Sequence, residues 1–339
     1  MPGFSNRSRL HGRLSTFVDW IATAPETEEA IRRQADEVRS RIRGQANDDG
    51  LTVRSTPNGG SYAKRTGLRR HLQGDSEVEG QDIDLPFVIS PKTHDDEDVD
   101  KLVDRFERYA KASYPNTSRE RSKCSVKLNF VGTGLAFDLV PVLATNVPDE
   151  QILFRDGGER RRTSIQKHIE FVTSRTRKSN ELPGRVKFNE CVRLLKWWRE
   201  FRVAGANSLT ALPSFTLELL AAKAFDQQSV AATYGETLAR WFGFLADLVQ
   251  RKAPVTFSDF GKAPTPPATG WAVIDPVNAD NNVVASWSGL KIGELATWLS
   301  DGRDEWARAL GADIRGDDAS SMAALVEIFG APLRHHSGD

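Results

Sequence analysis

The sequence predicts an α+β fold of the broad α/β class, with a mixed sheet and N-terminal helices in the first half and helices in the second half. Three observations support this prediction. An apolar run follows Asp84, as is typical of a buried strand. Residues 125–131 alternate between polar and apolar, and residues 135–142 return after a Gly-Thr-Gly turn, which predicts a hairpin. Apolar residues recur at helical spacing over residues 8–45 and again after residue 188.

The length and composition are those of a globular protein with room for two cores. The chain has 339 residues, of which 39% are hydrophobic and 27% are charged. Lys plus Arg and Asp plus Glu both total 46, so the formal net charge is zero. Long nucleic acid is held by an overall positive field, which this chain lacks, so we expect no long nucleic-acid partner.

The cysteines and the hydropathy pattern predict the compartment. Two cysteines, Cys124 and Cys191, are too few for a disulfide scaffold or a four-cysteine zinc site, and they suit a reducing environment. No apolar run reaches the ~18–20 residues that a membrane-spanning helix needs, and the N-terminus lacks the apolar segment of a signal peptide. We therefore expect a cytoplasmic protein with no membrane partner.

The N-terminal pattern predicts two helices that brace the sheet. Leu14, Phe17 and Ile21 lie on one apolar stripe, and Pro25 stands at the start of a second helix with Ile31 on its apolar face. We predict a first lobe over residues 1–150, comprising these helices and the sheet. A helical lobe would follow over residues 151–333, and residues 334–339 would form a loose tail.

Two aspartates stand at the start of the buried strand. Asp82 and Asp84 flank Ile83, and because side chains alternate along a strand, both carboxylates point to one face and Ile83 to the other. Neighbouring carboxylates repel unless a cation lies between them, and oxygen-only ligands suit Mg²⁺. The solvated edge of a strand would give the same pattern, so this motif alone leaves both interpretations open.

A glycine-serine turn precedes that strand. Gly60-Ser61 leads into a predicted helix, and such a turn offers backbone N–H groups and a hydroxyl to a polyphosphate. The basic residues that follow, Lys64, Arg65, Arg69 and Arg70, fit either a phosphate contact or a solvated helix face. The turn and the paired aspartates in this order favour a phosphate and metal site more than either motif alone.

A third aspartate lies inside the second strand of the predicted hairpin. Burying the carboxylate of Asp138 costs free energy unless a cation or hydrogen bonds compensate it. On a strand beside Asp82 and Asp84 it would complete a three-carboxylate site for two metal ions. The alternative is a structural aspartate that caps the arginine-rich segments that follow. Pro141 predicts that the far part of this strand is an edge or an end.

Helical patterns in the second half place further candidates. Lys196 lies beside the apolar stripe of one helix and fits an amphipathic surface. Pro213 opens the next helix, with Ser214 and Phe215 in its first turn, where a helix favours anions. From the residues alone, we interpret Phe215 as a core residue and the isolated His168 as a packing residue.

In this order, three motifs resemble those of the nucleotidyltransferase superfamily that includes DNA polymerase beta: Gly60-Ser61, Asp82-Ile83-Asp84 and Phe137-Asp138-Leu139. The flanking segments resemble the branch that holds the oligoadenylate synthetases, cyclic GMP-AMP synthase and the bacterial cGAS/DncV-like nucleotidyltransferases (CD-NTases) of CBASS anti-phage signalling. These segments read GSYAKRT, DID, FDLVPVL, LLKWWRE, LPSFTLELL and IDPVNADNN. The likeness is strongest to the bacterial group, and it implies a polymerase-beta-like core with a C-terminal helical lobe.

The resemblance also implies an activity. The enzyme would condense NTPs into a cyclic di- or trinucleotide second messenger and release pyrophosphate. Two Mg²⁺ ions, with Mn²⁺ as a substitute, would be bound by Asp82, Asp84 and Asp138, and Asp138 could also accept the proton of the attacking hydroxyl. In a cleft between the lobes, the nucleotide would contact Gly60, Ser61, Lys196, Ser214 and Phe215. Of these, Lys196 would reach the triphosphate, Ser214 a phosphate and Phe215 the base.

Partners and alternatives follow from the same resemblance. ATP and other NTPs would be the substrates, and a regulatory protein encoded nearby could activate the enzyme. Other nucleotidyltransferases modify an RNA or protein acceptor or make a linear oligonucleotide, and these remain alternatives. A catalytically dead binding module is disfavoured because all three aspartates are present. Base choice, linkage and ring size are left open.

One stretch departs from the family pattern. The segment between the glycine-serine turn and the paired aspartates is longer than in most members because of a polar insertion at residues 73–80. We predict a surface loop there, since added loop length costs little free energy. The acidic run at residues 95–98 has no apolar framing, and we interpret it as the solvated start of a helix.

Overall fold

The computed structural model describes residues 8–73, 76–91, 101–155, 159–205 and 212–338, so the acidic run at 95–98 lies outside the described residues. The helices are α1 Arg9–Ile21, α2 Pro25–Asp48, α3 Gly60–Ala63, α4 Leu102–Ser113, α5 Ile165–Asn180, α6 Phe188–Gly205, α7 Ser214–Gln228, α8 Tyr234–Gln250, α9 Gly289–Ile314, α10 Asp318–Phe329 and α11 Ala331–His336. The strands are β1 Val53–Ser55, β2 Arg70–Gln73, β3 Ser76–Glu79, β4 Gln81–Ile89, β5 Ser118–Arg121, β6 Val126–Phe130, β7 Leu135–Ala144, β8 Gln151–Arg155, β9 Glu159–Thr163, β10 Ile274–Asp275 and β11 Asn278–Asn282.

The chain divides into two compact units. One comprises residues 23–69 and 79–170 and holds the main sheet, and the other comprises residues 1–22, 70–78 and 171–339 and is mostly helical. We call them the sheet unit and the helical unit. The predicted boundary between residues 150 and 151 stays a prediction.

The main sheet mixes parallel and antiparallel strands, as the sequence predicted. Its order is β1-β4-β7-β6-β5, and β8 pairs with β7 and carries β9. Strands β4 and β7 run parallel over nine residues, whereas β6 and β8 are antiparallel to β7. The predicted hairpin of β6 and β7 is confirmed, with Val126 opposite Leu139. The mixed α/β fold class is therefore confirmed.

One face of this sheet is covered by helices α2 and α4. Buried side chains of α2, such as Ile31 and Val38, pack with Phe106 of α4 on the β4 residues Ile83 and Phe87. Because the residues of β4 with odd numbers enter this core, Asp82 and Asp84 face the other side of the sheet. The alternation along β4 thus separates the hydrophobic core from the polar face.

Helix α1 departs from the predicted brace. It begins at Ser8, whose Oγ accepts a hydrogen bond from the His11 N–H, and it is amphipathic as expected. Its Phe17 ring packs edge-on against Trp197 and also contacts Phe329, all in the helical unit. Only α2 of the two predicted N-terminal helices therefore braces the sheet.

The expectation that Pro141 marks an edge or the end of its strand is wrong. Strand β7 continues to Ala144, with Pro141 opposite Phe87 of β4. On the other side of β7, pairing with β6 ends at Leu139 and pairing with β8 begins at Val142. Proline has no N–H to donate, and this gap between two partner strands tolerates it.

The polar insertion is a hairpin and not the predicted loop. Strands β2 and β3 pair as a separate two-stranded sheet. Glu200 of α6 accepts hydrogen bonds from the Leu72 N–H at 3.2 Å and lies 3.0 Å from His71 Nδ1. At the base of the insertion, the Gly80 N–H donates to the Arg69 carbonyl at 2.9 Å. Glu200 of α6 therefore holds strand β2 at the start of the insertion, through His71 and the Leu72 N–H.

The predicted loose tail is helical through His336. Helix α11 has Pro332 in its first turn, where a missing N–H costs nothing. The His336 ring stacks on Trp20, and its Nε2 lies 3.2 Å from Glu77 Oε2 of β3. Within the described residues, no helix combines the length and the apolar character that crossing a membrane requires.

A buried ion cluster joins three segments of the helical unit. Arg175, only 3% exposed, donates to Asp226 through Nε at 3.0 Å and Nη2 at 2.6 Å, and to Asp259 through Nη1 at 2.8 Å and Nη2 at 3.1 Å. Nη1 also donates to the Phe171 carbonyl at 2.8 Å. We call these three charged residues the Arg175 cluster.

Candidate active site

The strands that carry the paired aspartates and the third aspartate are neighbours in the sheet. Strands β4 and β7 are parallel neighbours, and Asp84 lies opposite Asp138 in their register, with Asp82 opposite Ala136. Residues that pair in register on the same sheet face have neighbouring side chains. The sequence prediction that a third aspartate lies beside Asp82 and Asp84 is therefore confirmed, and we call the three the carboxylate group.

The glycine-serine turn lies against this group. The Gly59 N–H donates to the Asp84 carbonyl at 3.0 Å. Gly60 has a φ of +57°, and a Cβ at this position would overlap the carboxylate oxygen Oδ2 of Asp84. Only glycine meets both demands, the left-handed backbone and the close approach. The turn runs into a single helical turn, α3. The Ser61 carbonyl of α3 accepts a hydrogen bond at 2.9 Å from the N–H of Thr66, which follows the helix.

The carboxylate group carries more negative charge than its surroundings balance. Burial raises the pKa of Asp84 to about 6, with the negative charges of Asp138 and Asp82 adding to the effect and Lys64 opposing it. Burial likewise raises the pKa of Asp138, against the attraction of Lys127 and a hydrogen bond from Ser125 Oγ to its Oδ1 at 3.1 Å. The site favours a cation at this place.

Lys127 lies at the site, although the sequence patterns did not single it out. It lies on β6 opposite Asp138, and its Nζ is 3.0 Å from Asp82 Oδ2 and 4.0 Å from Asp138 Oδ2. In the sequence it was one polar position of an alternating strand. Its place opposite Asp138 was already implied by the hairpin of residues 125–142, so counting pairs from the turn would have found it.

The carboxylate group is not already arranged as a finished metal site. Among the described residues, no group of three or more His, Cys, Asp or Glu side chains is already arranged around a common metal position. Asp82, 60% exposed, is turned to Lys127. The chemistry nevertheless fits, because carboxylates of two adjacent strands lie on one face of the sheet, and Mg²⁺ prefers oxygen ligands.

A cavity of about 180 Å³ adjoins the carboxylate group. Its polar lining comes from Gly60, Lys64, Asp84, Thr163 and His168, and Val140 and Val142 form part of its apolar wall. Lys64 is only 8% exposed, so it is not on the solvated helix face that was one of its two interpretations. His168, interpreted as a packing residue, lines this cavity too.

The remaining predicted residues lie in the helical unit. Lys196 is 2% exposed, and its Nζ lies 2.8 Å from Glu218 Oε1, so it forms a buried ion pair and is not at an amphipathic surface. Ser214 is exposed and accepts a hydrogen bond from Arg199 Nη1 at 2.8 Å. Phe215 is half-buried, so its side chain is more exposed than that of the core residue that the sequence suggested. Nucleotide binding by these three residues stays a prediction.

One family model is similar to the first half of this chain, and curated proteins are similar to most of its length. Residues 9–175 match the Second Messenger Oligonucleotide or Dinucleotide Synthetase (SMODS) domain. A cyclic AMP-AMP-AMP synthase of Escherichia coli strain MS 115-1 is 27% identical over 303 residues, which cover 87% of this chain and 89% of that protein. The CBASS oligonucleotide cyclase CdnC of E. coli strain KTE188 is 28% identical over 318 residues, or 90% of this chain and 91% of that protein.

Solved structures share the fold of this chain. The structure of E. coli MS115-1 CdnC with ATP has a TM-score of 0.76 and 25% identity, covering 95% of this chain and 98% of the other. Vibrio cholerae DncV cyclic AMP-GMP synthase, with a TM-score of 0.67, 14% identity and 96% and 97% coverage, shares the fold. The carboxylate group and the glycine turn both lie within residues 9–175, the part of the chain that is similar to the SMODS domain.

Proposed function

We propose that this enzyme condenses NTPs into a cyclic oligonucleotide second messenger, with release of pyrophosphate, in anti-phage defence. The observation that carries the proposal is the register of Asp84 opposite Asp138 with Gly60 against the Asp84 carboxylate. A phosphate-binding turn and a carboxylate group in contact are what transfer of a nucleotidyl group needs. The similarity to the SMODS domain and to the cyclic AMP-AMP-AMP synthase supports the same reaction.

The chain's own residues divide the work as follows. Asp82, Asp84 and Asp138 would hold Mg²⁺, or Mn²⁺ in its place. When bound, these ions supply positive charge to the triphosphate and lower the pKa of the attacking hydroxyl. Asp138, which lies opposite Asp84 in the sheet, would also accept the proton of that ribose hydroxyl. Gly60 and Ser61 bind the triphosphate through backbone N–H groups and the serine hydroxyl.

The relatives favour particular substrates. A protein named cyclic AMP-AMP-AMP synthase is 27% identical, and CdnC has been solved with ATP. We therefore propose ATP as a substrate and a cyclic trinucleotide, in preference to a cyclic dinucleotide, as the product. Ser214 and Phe215 in the first turn of α7 are proposed to contact the nucleotide. For Lys196 to reach a triphosphate, it would have to leave Glu218.

Product analysis tests this proposal. The protein is incubated with radiolabelled ATP, alone and with the other NTPs, in Mg²⁺ and without any macromolecule. We expect a product that resists phosphatase and is cut by nucleases specific for its linkage. A double Asp82→Asn and Asp84→Asn variant should make none, whereas Asp36→Asn, an exposed acid of α2, should match the wild type. Label that stays in a linear product, or that needs added RNA or protein, would favour the alternative reactions.

A regulatory protein is the proposed partner. The E. coli MS115-1 relative was solved as a CdnC:HORMA-deltaN complex, with a TM-score of 0.75 and 25% identity. We propose that a protein of that kind, encoded near this chain, binds and activates it in the cytoplasm. Co-purification of the two proteins from one expression plasmid, followed by a rate comparison with and without the partner, tests this. An unchanged rate in a stable complex would exclude activation.

A further inference from the structure

Four charged residues form a row across the sheet. In register, Glu120 of β5 lies opposite Lys127 of β6, Lys127 lies opposite Asp138 of β7, and Asp138 lies opposite Asp84 of β4. The row holds three acids and one lysine. Because Lys127 is flanked on both sides, two acids compete for its ammonium group within the row.

The ammonium group selects neither of its register neighbours as its nearest partner. Its Nζ lies 3.0 Å from Asp82 Oδ2, against 4.0 Å from Asp138 Oδ2. Glu120 Oε1 is bound by Asn129 Nδ2 at 2.7 Å. Strand β7 separates β6 from β4, so the two backbones are about 10 Å apart and Lys127 must extend across β7 to reach Asp82.

A small residue makes this reach feasible. Ala136 of β7 lies opposite Asp82 in the β4 pairing and two positions before Asp138. A larger side chain at Ala136 would stand between Lys127 and Asp82 on the same sheet face. Lys127 is 26% exposed and Asp82 is 60% exposed, so water screens the pair mainly on the Asp82 side.

We propose that Lys127 is a built-in counter-ion, which holds the carboxylate group together without metal and competes with the divalent cation for Asp82. The inference rests on the proposed metal-dependent function. Lys127 neutralises one charge where the ion would neutralise two. A divalent ion must therefore displace the ammonium group from Asp82, which weakens metal binding and makes the metal-free fold more stable.

The binding experiment compares Lys127→Met with Lys123→Met, which removes the same charge from an exposed position just before β6. Free Mn²⁺ is measured by electron paramagnetic resonance without nucleotide. We expect Lys127→Met to bind Mn²⁺ about tenfold more tightly than the wild type, because removing a cation 3 to 4 Å from the ligands strengthens the field that the metal feels. Lys123→Met and Lys127→Arg should match the wild type.

Thermal melting of the metal-free proteins supplies the second readout. The Tm of Lys127→Met should fall by several degrees, since the three aspartates then lose the cation nearest to Asp82 and Asp138, while Lys123→Met melts like the wild type. If Lys127→Met does not fold, Lys127→Gln takes its place. Equal or weaker Mn²⁺ affinity in the variant would overturn the inference and leave the metal site standing. A wild-type protein that binds no Mn²⁺ would overturn both.

Discussion

Two charge clusters of this protein solve the problem of buried charge in opposite ways. In the Arg175 cluster, one guanidinium donates five hydrogen bonds, four of them to Asp226 and Asp259, which raise the pKa of Arg175 although burial lowers it. In the carboxylate group, three aspartates share Lys127, and burial raises the pKa of Asp84 to about 6. The first cluster is complete without a ligand, and the second is not.

Whether the charges of a cluster are matched distinguishes a structural from a functional cluster. A charge whose donors and acceptors are all matched fixes segments of the chain to each other and gains little from a further ion. A group with excess charge of one sign costs stability until a counter-charge arrives. Substitutions should therefore affect stability in one cluster and activity in the other.

The largest effect is expected from Asp84→Asn. Removing this carboxylate should lower nucleotide incorporation by at least ~10⁴-fold, because it is the ligand nearest to the glycine turn. The Tm of the metal-free protein should stay equal or rise, since a repulsive buried charge is lost. Labelled-ATP turnover and calorimetry on the same sample check both statements. A large fall in Tm would place Asp84 among the structural charges.

Arg175→Met should give the opposite result. The substitution leaves Asp226 and Asp259 without their partner, and breaking such a buried pair typically costs about 3–5 kcal/mol of unfolding free energy. Urea denaturation measures this loss. Arg177→Met, an exposed position on the same helix, is the matched control and should stay within ~0.5 kcal/mol. A small loss of unfolding free energy in Arg175→Met would mean that the hydrogen bonds of Arg175 contribute little to the stability of the helical unit.

Gly60→Ala tests the contact between the turn and the strand. The added methyl group needs a left-handed backbone and collides with the Asp84 carboxylate, so we expect a loss of about 1–3 kcal/mol and a lower turnover. Gly44→Ala in α2 meets no atom within 4 Å and should be neutral or stabilising. If Gly60→Ala keeps full activity, the approach of the turn to Asp84 is not required for catalysis.

The smallest effect is expected from an exposed pair. Glu37 and Arg41 of α2 lie 2.7 Å apart with side chains 53% and 52% exposed. Replacing Glu37 with Gln should cost only about 0.3–0.5 kcal/mol, and less in high salt, because water and ions screen the attraction. Urea titrations at two salt concentrations measure it. A cost as large as that of Arg175→Met would show that burial is not what separates strong from weak pairs here.

Local patterns carried much of the fold and the site. Period-two alternation was enough to put Asp82 and Asp84 on one face, and an acid in an apolar strand was enough to mark Asp138. The alternation and the acid in an apolar strand are both patterns among residues that are close in the chain, so they can be recognised from the sequence alone. The mixed sheet and the helical second half followed from the same periodicities.

The rest depended on contacts between distant segments. Lys127 forms its ion pair with Asp82, which lies two strands away in the sheet and 45 residues away in the chain. Helix α1 is amphipathic, but that pattern does not say whether Phe17 will meet the sheet or Trp197. Likewise, the insertion is polar like a loop, and the contact of the adjoining strand β2 with Glu200 joins segments that are more than 120 residues apart.

The hydrogen bond from the Gly80 N–H to the Arg69 carbonyl, 2.9 Å long, has a consequence for how such enzymes diversify. It closes the insertion at its root, so the spacing between the turn and the paired aspartates does not depend on how many residues lie outside it. Descendants could lengthen, shorten or exchange residues 70–79 while Gly60 and Asp84 keep their contact. A protein engineer could use the same position to graft a sensor or a tag without redesigning the chemistry two residues away.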